Sequence, residues 1–408
     1  MFEWVIILFL GTGLLYGLQS RRLQRRNISS PMMMVITGAL IALPLGIWHE
    51  APLAPFADRI HFATGFSEMT LAIILFLDSA VLDYRKEKPA IRLANRLLLI
   101  GLPLTIGVTW AFIIGLPPSI GILPALILAL IASPTDAALG RPLLENKSVP
   151  DPIRQGINIE SGLNDGLVLP IFTAVVLLEA DLVGEGSNNW LTEAIIEISV
   201  GAGVGLLAGY VIGQIVNHAV TTNTILDRFE RLLGVLSALF IFFLSEKLGG
   251  NGFVAAFAGG LALNIFSEKV RETIESFGEA ESELLTMLTF FIFGLVVIPA
   301  VYQLWTWEML IFSIVSLAIL RPLCVWICMI GSPYSLAEKL YVGWFGPRGI
   351  ASVIYLLIMI TVIDPKGYES LIAAAVMIVA ISVTAHGLSA APLSNMLVRH
   401  LAKKGARS

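Results

Sequence analysis

The sequence predicts an all-α polytopic membrane protein with about thirteen transmembrane helices, and three observations support this fold class. The chain of 408 residues is 56% hydrophobic and only 14% charged, whereas soluble domains carry about 25% charged residues. Its apolar residues fall in runs of about 17–25, the length that crosses a bilayer as a helix. Its basic residues are concentrated in every second loop, as in multi-pass membrane proteins. The modest net charge of −4 argues against a nucleic-acid partner, which would require a basic surface.

The predicted spans follow the apolar runs in chain order, and helices are required because lipid offers no partner for open backbone groups. No basic segment precedes the first run, so we expect it to be a spanning helix rather than a cleaved signal peptide. The spans are residues 2–20, 32–48, 66–83, 97–114, 119–140, 153–179, 191–216, 230–247, 251–266, 284–302, 307–330, 338–362 and 368–398.

The basic residues orient these spans. When the loops are taken alternately, one set carries 21 of the 26 lysines and arginines, and the other set carries only Arg59, Lys247 and Lys366. Arg321 and Arg348 lie within spans. Because basic loops face the cytoplasm, we expect an external N-terminus and a cytoplasmic C-terminus, in the cell (plasma or inner) membrane.

Few ionisable side chains lie inside the predicted spans away from their ends, where Glu3, Glu68, Glu179, Glu246 and Glu308 are expected to be solvated. Each of the others is a functional candidate because charge is costly in lipid. The four potential anions outnumber the two cations, which favours a site for a cation or a proton. They are Asp78 in the third span, Asp136 in the fifth, Glu160 and Asp165 in the sixth, Arg321 in the eleventh and Arg348 in the twelfth.

The sixth span carries a polar stripe near its middle. Glu160 and Asn164 are four residues apart, as are Ser161 and Asp165, so each pair shares one side of a helix. Oxygen atoms of this kind are the ligands that hard cations prefer. A carboxylate that loses its cation in a low-dielectric cavity is favoured to hold a proton instead, because its charged form is poorly solvated. The stripe therefore predicts that a cation and a proton compete for one carboxylate.

Two spans are interrupted by proline near mid-depth. In the fifth span, Pro134 removes a backbone donor and clashes with the preceding turn, so we expect the helix to unwind near Ser133–Thr135. The freed carbonyl groups beside Thr135 and Asp136 are candidate cation ligands. In the twelfth span, Gly346-Pro347-Arg348-Gly349 interrupts an apolar run. Irregular backbone at this depth occurs where it lines a cavity or is buried in protein.

The two interruptions fall at matching positions of two halves. If the seventh span, about 191–216, is a linker, six spans precede it and six follow, and the second half is inverted. Interrupted helices at matching positions of inverted halves indicate a transporter site. The chain is then a single transmembrane transporter domain, 1–408, with inverted repeats at about 1–180 and 230–398. Arg348 would lie at the crossing, where its charge offsets the negative ends of the half-helices.

Structural explanations remain open for several of these residues. Glu160 could form a structural ion pair with an arginine, and Asp136 could pair with Arg348. His386, inside the last span, is a candidate for a pH-responsive group. Glycines at every fourth position of the seventh span indicate a close helix-packing face that could also serve a dimer; they are Gly201, Gly205, Gly209 and Gly213.

The motifs together resemble those of the prokaryotic NhaP-type sodium/proton antiporters. They occur in the family's order over most of the chain, and the predicted number of spans agrees with that family. Ala137 departs from the pattern, because much of the family has Asp-Pro where this chain has Asp136-Ala137. The matching segments are Ser133-Pro134-Thr135-Asp136, Glu160-Ser161-Gly162-Leu163-Asn164-Asp165, Gly346-Pro347-Arg348-Gly349, Leu75-Phe76-Leu77-Asp78 and Leu82-Asp83-Tyr84-Arg85.

The resemblance implies a six-helix core with two crossed broken helices that moves against a dimerisation domain. Asp165 would carry the ion, and Ser161, the main-chain carbonyl of Thr135 and Asp78 would complete the coordination of the monovalent cation. Asn164 marks a branch of the family expected to be electroneutral, and it belongs with Asp136 to the expected ion- and proton-binding set. Glu160 would form a structural pair with a family arginine, and both Arg321 and Arg348 match such positions.

We therefore expect a secondary transporter rather than an enzyme, exchanging Na+ (with Li+ as a further candidate) for H+ by alternating access and serving pH homeostasis. We expect no cofactor beyond the transported Na+ (or Li+ or K+) and H+, and a homodimer in the lipid bilayer. A K+/H+ antiporter of the same fold is the leading alternative. A cation channel is a second, although no selectivity-filter repeat is visible. An intramembrane hydrolase is a third, although no Ser-His pair or His-Glu-x-x-His spacing supports it.

Overall fold

The computed structural model consists of helices joined by turns, and no β-strand occurs among the residues it describes. The all-α class predicted from the sequence is confirmed. The described residues are 2–43, 56–81, 88–116, 120–136, 139, 144, 146–184, 189–222, 224–226, 229, 232–266 and 268–405, without the side chains of 2, 25, 56–64, 265–266, 268–273, 275–277, 279 and 403–405.

Seventeen α-helices of the described residues are numbered in chain order. They are α1 Phe2–Arg25, α2 Ser30–Ala42, α3 Phe56–Val81, α4 Lys88–Arg96, α5 Leu102–Ile114, α6 Ile122–Ile131, α7 Asp151–Leu182, α8 Trp190–Thr221, α9 Leu233–Lys247, α10 Gly252–Phe266, α11 Glu268–Ile292, α12 Ile298–Val301, α13 Trp307–Val315, α14 Arg321–Cys328, α15 Leu336–Trp344, α16 Ile350–Val362 and α17 Glu369–Gly405.

Each predicted span overlaps one of these helices, whereas the number of membrane crossings stays a prediction. Shorter apolar helices accompany the long ones, among them α2 and α16. The last residues of the predicted second span, the segment Leu82-Asp83-Tyr84-Arg85 and Ala137 lie outside the described residues. Among the described residues, seven helical stretches are long and apolar enough to cross a membrane: Glu3–Gln24, Lys88–Ile114, Asp151–Leu182, Trp190–Thr221, Ala280–Leu304, Trp307–Cys328 and Glu369–Ala402.

The chain forms two compact units, and the first comprises Met1–Ala63, Lys86–Ser161 and Thr286–Ser408. An apolar cluster in this unit joins α4, the start of α7, α14, α15 and α17, and includes Leu93, Ile153, Tyr341 and Leu397. Inside lipid such packing stabilises through van der Waals contact rather than through exclusion of water. The cluster therefore holds the second interrupted span, through Tyr341 and Phe345, against the start of α7.

The second unit comprises Thr64–Arg85 and Gly162–Leu285. Here the glycine face of α8 packs on α10 at backbone distance. A Cβ added at Gly201 would lie 2.6 Å from the main-chain oxygen of Asn251, and one at Gly205 would lie 2.8 Å from the Cα of Ala255. The predicted close-packing face is confirmed. Its use as a dimer surface is wrong, because α10 of the same chain covers it.

In the part of the chain that the structure describes, three helical stretches contain a wide π turn just before a proline. The turns are Leu97–Gly101, Phe293–Val297 and Ser316–Leu320, and Pro103, Pro299 and Pro322 follow them. Proline has no N–H to donate and its ring crowds the preceding turn. A wide turn accommodates both effects without ending the helix, and such turns are frequent at functional sites.

Candidate functional site: two interrupted helices and a buried ion pair

The first interrupted span loses its helix where Pro134 predicts. α6 ends at Ile131, and residues 132–136 are not helical. The residue before a proline is driven out of the helical region, and the Ser133 hydroxyl donates back to the carbonyl of Ala129 at 2.6 Å. The predicted unwinding near Ser133–Thr135 is confirmed.

The second interrupted span breaks between α15 and α16. α15 starts with a capping box in which Ser335 and Glu338 exchange hydrogen bonds, and it ends at Trp344. The five residues 345–349 are not helical and are all buried, and the chain becomes helical again at Ile350, where α16 begins. The interruption predicted at Gly346–Pro347 is confirmed.

The two interrupted segments contact each other through Asp136. Its backbone N–H donates to the carbonyl of Pro347 at 2.9 Å, and its carboxylate Oδ2 accepts the N–H of Ile350 at 2.9 Å. The carboxylate therefore caps the N-terminus of α16, where a negative charge is stabilising. A Cβ on Gly349 would overlap this carboxylate, so only glycine lets the cap approach this closely.

The start of α7 holds the first segment from the other side. The Ser161 hydroxyl donates to the main-chain carbonyl of Thr135 at 2.7 Å, and the Thr135 hydroxyl donates to Glu160 Oε2 at 3.0 Å. All three side chains are buried. The structure thus brings together the Ser161 hydroxyl and the Thr135 carbonyl, two of the oxygens predicted as cation ligands.

Glu160 is paired with Arg321, its Oε1 lying 3.4 Å from Arg321 Nη2, and both side chains are buried. Such a pair stabilises only when its partners are further hydrogen-bonded, and Thr135 supplies that bond on the glutamate side. A Cβ on Gly346 would overlap the Arg321 guanidinium. The ion pair therefore lies directly against the second interrupted segment.

Arg348 is fully buried within that segment. Its Nη1 donates to the carbonyl of Gly346 at 2.6 Å, and its backbone N–H donates to the Ser382 hydroxyl of α17 at 2.6 Å. Within the described part of the chain, Nε and Nη2 of Arg348 have no hydrogen-bond partner. The cation expected at the crossing is present there, and its guanidinium contacts the main chain of the interrupted segment itself.

The other predicted site residues belong to the second unit. Asp78 is partly buried on α3, next to Ser79, whose carbonyl accepts from Asn264 Nδ2 at 3.2 Å. Asn164 is buried and Asp165 is partly buried on α7. Gly166 follows them, and a Cβ there would lie 2.5 Å from the ring of Phe257. Asp165 lies one turn beyond Ser161 on the same helix, as the spacing predicts.

Sequence reasoning missed two features of this site. It treated Asp136 as an ion ligand or a partner of Arg348, and did not foresee that it caps α16. It also passed over Ser382, although Ser382 and His386 are polar residues one turn apart in an apolar helix. That spacing was the available signal, because two buried polar groups on one helix face require partners.

Comparisons with known proteins identify the family and the fold. The model of the family described as "Sodium/hydrogen exchanger, transmembrane" matches residues 5–396. The K(+)/H(+) antiporter NhaP2 of Shewanella sp. (strain ANA-3) is 25% identical over 325 residues, covering 77% of this chain and 55% of that protein. The Na(+)/H(+) antiporter NhaG of Bacillus atrophaeus is 23% identical over 383 residues, covering 90% and 70%. The chain thus spans about half the length of the NhaP2 relatives.

A solved structure has the same fold. The sodium proton antiporter MjNhaP1 from Methanocaldococcus jannaschii superposes with a TM-score of 0.77 at 18% identity, covering 97% of this chain and 98% of that one. The fold and the crossing define a multi-pass membrane protein of the transporter class. The chain belongs to the transmembrane sodium/hydrogen exchanger family, and its predicted resemblance to NhaP-type antiporters is confirmed.

Proposed function

We propose that this protein exchanges a monovalent cation for protons across the cell membrane by alternating access. The observation that carries the proposal is the crossing of two interrupted helices at Asp136 and Pro347, in a chain of the sodium/hydrogen exchanger family. Interrupted helices at mid-depth place backbone oxygens and helix ends where an ion can be bound. This supports transport rather than hydrolysis.

In this proposal Asp165 is the carboxylate that carries either the cation or the proton. Ser161, the Thr135 carbonyl and Asp78 serve as further oxygen ligands, and Asn164 and Asp136 complete the proposed ion- and proton-binding set. The meeting of Ser161 Oγ and the Thr135 carbonyl at 2.7 Å supports a shared ligand role. A cation arriving between two such oxygens replaces their hydrogen bond with two ion contacts.

The chain is one transporter domain built from inverted repeats at about 1–180 and 230–398, with the helix at about 191–216 as linker. The N-terminus is external and the C-terminus cytoplasmic, and the protein works as a homodimer. The dimer surface is not the glycine face of α8, which α10 covers. Exposed apolar side chains elsewhere on α8, such as Leu206 and Leu207, suit lipid or a second copy.

The decisive experiment measures exchange by the full chain in proteoliposomes loaded with a pH-sensitive dye. We expect Asp165→Asn to abolish cation-driven proton movement while the variant remains folded. An amide is neutral and does not release or take up a proton, so it cannot exchange a proton for a cation. Asp181→Asn, at the far end of the same helix, is the matched control and should exchange normally. Exchange by Asp165→Asn at the unmodified protein's rate would remove Asp165 from this role.

The same preparation separates Na+ from K+. NhaG carries a sodium name and NhaP2 a potassium name, so a K+/H+ antiporter is the second candidate function. A competition series of Na+, Li+ and K+ decides between them, because the preferred ion gives half-maximal dequenching at the lowest concentration.

The proposal includes electroneutral exchange, one monovalent cation for one proton, on the basis of Asn164 preceding Asp165. We expect the exchange rate to change by less than about twofold when the membrane potential is clamped between zero and about −100 mV, a potential worth about 2.3 kcal/mol per moved charge. Strong acceleration or inhibition by voltage would contradict this stoichiometry.

A further inference from the structure

His386 lies fully buried on α17, and its Nε2 is 2.9 Å from the main-chain carbonyl of Trp344, the last residue of α15 before the interruption. We infer that His386 is a positioning residue: together with Ser382 it holds the interrupted segment 345–349 in place, and ion exchange depends on that hold. The inference rests on the proposed function, in which it gives His386 a positioning role.

The interruption of the helix removes one backbone hydrogen bond. In a continuous helix the N–H of Arg348 would donate to the carbonyl of Trp344, four residues earlier. Here Arg348 N–H donates instead to the Ser382 hydroxyl at 2.6 Å, and the Trp344 carbonyl lies 2.9 Å from His386 Nε2. Both groups of the missing bond are therefore taken up by one face of α17.

The two side chains of α17 are themselves connected. Ser382 Oγ lies 3.1 Å from His386 Nδ1. Because Ser382 Oγ accepts from Arg348 N–H, its own proton is available for Nδ1. Nδ1 also lies 2.9 Å from the main-chain carbonyl of Ser382, which can only accept. A ring proton on Nδ1 would make that one hydrogen bond, whereas a proton on Nε2 lets the ring donate to the Trp344 carbonyl and accept from the Ser382 hydroxyl. We therefore assign the ring proton to Nε2. The result is a relay from Arg348 through Ser382 and His386 to Trp344 that replaces the lost helical bond.

Packing reinforces this relay. The imidazole of His386 stacks on the indole of Trp344, with ring centroids 4.9 Å apart and planes at 28°. Trp344 Nε1 donates to the Ser389 hydroxyl, also on α17, at 2.9 Å. The Trp344 carbonyl receives a second bond from Gly346 N–H at 2.8 Å. Since His386 and Ser382 are buried, no bulk water competes for these groups, and an unmade bond there is costly.

The hold matters because the segment carries the contacts of the crossing. Pro347 and Ile350 bind Asp136, and Gly346 lies on the Arg321 guanidinium. A loosened segment would leave the ion ligands chemically intact but would no longer move with α17 as one body. Loss of the hold should therefore lower the maximum exchange rate rather than the apparent cation affinity.

The experiment compares substitutions that separate shape from hydrogen bonding. His386→Phe keeps a ring on Trp344 but removes both nitrogens, and His386→Gln restores an N–H donor near the Nε2 position. We expect His386→Phe to lower the maximum exchange rate at least tenfold, with an apparent KM for the cation within threefold. His386→Gln should recover at least a third of the rate. Ser382→Ala, which leaves the imidazole in place, should fall between them.

Tyr341→Phe is the control for a purely structural effect. Its hydroxyl also joins α15 to α17, through Ser394 at 2.7 Å, but it lies outside the interrupted segment. Tyr341→Phe should lower the melting temperature in detergent about as much as Ser382→Ala while keeping the exchange rate within twofold. A rate loss as large as that of His386→Phe would overturn the inference.

Hydrogen–deuterium exchange tests the hold without relying on transport. Peptides covering residues 343–352 should exchange at least fivefold faster in folded His386→Phe than in the unmodified protein, and His386→Gln should reverse most of this. Unchanged protection in His386→Phe, or Gln no better than Phe in rate and protection, would overturn the inference. If the unmodified protein fails to exchange ions, the proposed function fails, whereas the protection data still decide whether His386 holds the segment.

Discussion

The two interrupted segments of the first unit are anchored by different means. Residues 132–136 are held by α7, through the Ser161 hydroxyl and the Glu160 carboxylate. Residues 345–349 are held by α17, through the neutral groups of Ser382 and His386. The first anchor includes the charged Glu160, which is paired with the buried Arg321. The second anchor is formed by hydrogen bonds between uncharged groups.

This difference indicates separate tasks for the two segments. Hydrogen bonds to a charged group are stronger than those between neutral groups but depend on the charge being compensated. The first segment therefore presents oxygens on a rigid, charged support beside the proposed ion ligands. The second segment carries the buried cation Arg348, and the contacts of Ser382 and His386 serve only to fix the conformation of that segment. Substitutions on each side test this division.

The largest effect is expected where the charge of the first anchor is removed. Glu160→Gln keeps the shape of the side chain but leaves the buried Arg321 uncompensated, so we expect a stability loss of about 3 kcal/mol. The apparent cation KM should change by less than about threefold, since Glu160 supports the site rather than binding the ion. Thermal unfolding in detergent and the dye assay measure the two quantities.

Glu308→Gln is the control for this substitution, because Glu308 is exposed at the start of α13. It should leave both quantities unchanged. A large loss of cation affinity in Glu160→Gln at an unchanged melting temperature would place Glu160 among the ion ligands and end the proposed division of tasks.

The second effect concerns the contact that joins the two segments. Gly349→Ala would push the Asp136 carboxylate away from the N-terminus of α16, so we expect a stability loss of about 2 kcal/mol from overpacking and a weakened cap. Exchange should fall with it, since the crossing is displaced. Gly107→Ala on α5, where a Cβ meets no atom within 4 Å, should lower neither stability nor exchange, because alanine is favoured over glycine inside a helix. Normal exchange by Gly349→Ala would show that the crossing tolerates displacement.

The smallest effect is expected from a substitution that distinguishes the contribution of the Thr135 hydroxyl from that of its main-chain carbonyl. Thr135→Val removes the hydroxyl that donates to Glu160 and keeps the carbonyl that accepts from Ser161, so we expect a loss of about 1.5 kcal/mol. The cation KM should stay within about threefold, because only the carbonyl is a proposed ligand. Thr361→Val, on the exposed side of α16, is the control. A tenfold rise in KM would instead make the hydroxyl a ligand.

The fold was largely predictable because lipid imposes simple rules on sequence. Apolar runs and alternating basic loops placed a span on every long helix, and Pro134 and Pro347 predicted both interruptions. Helix ends were less predictable: α2 ends at Ala42 within the described residues, and α17 continues to Gly405, beyond the predicted 398. A helix that extends beyond its apolar run carries charge there and leaves no apolar signal.

The chemistry of the site was predictable to a lesser degree than its location. Glu160 was identified with two candidate arginines, and only the three-dimensional arrangement pairs it with Arg321. Asp136 was identified by its charge in a span, but the backbone N–H that it caps belongs to Ile350, far along the chain. Contacts between distant segments depend on packing, which the spacing of residues in one span does not specify.

The wide turn at Ser316–Leu320 determines where Arg321 points. A π turn contains one residue more than an α turn, and each added residue rotates the remainder of the helix by about 100° around its axis. A chain with one residue deleted between Trp307 and Leu320 would form a regular helix and turn the arginine away from its partner glutamate. The length of this stretch, rather than the identity of its side chains, is thus what maintains the buried charge balance of the protein.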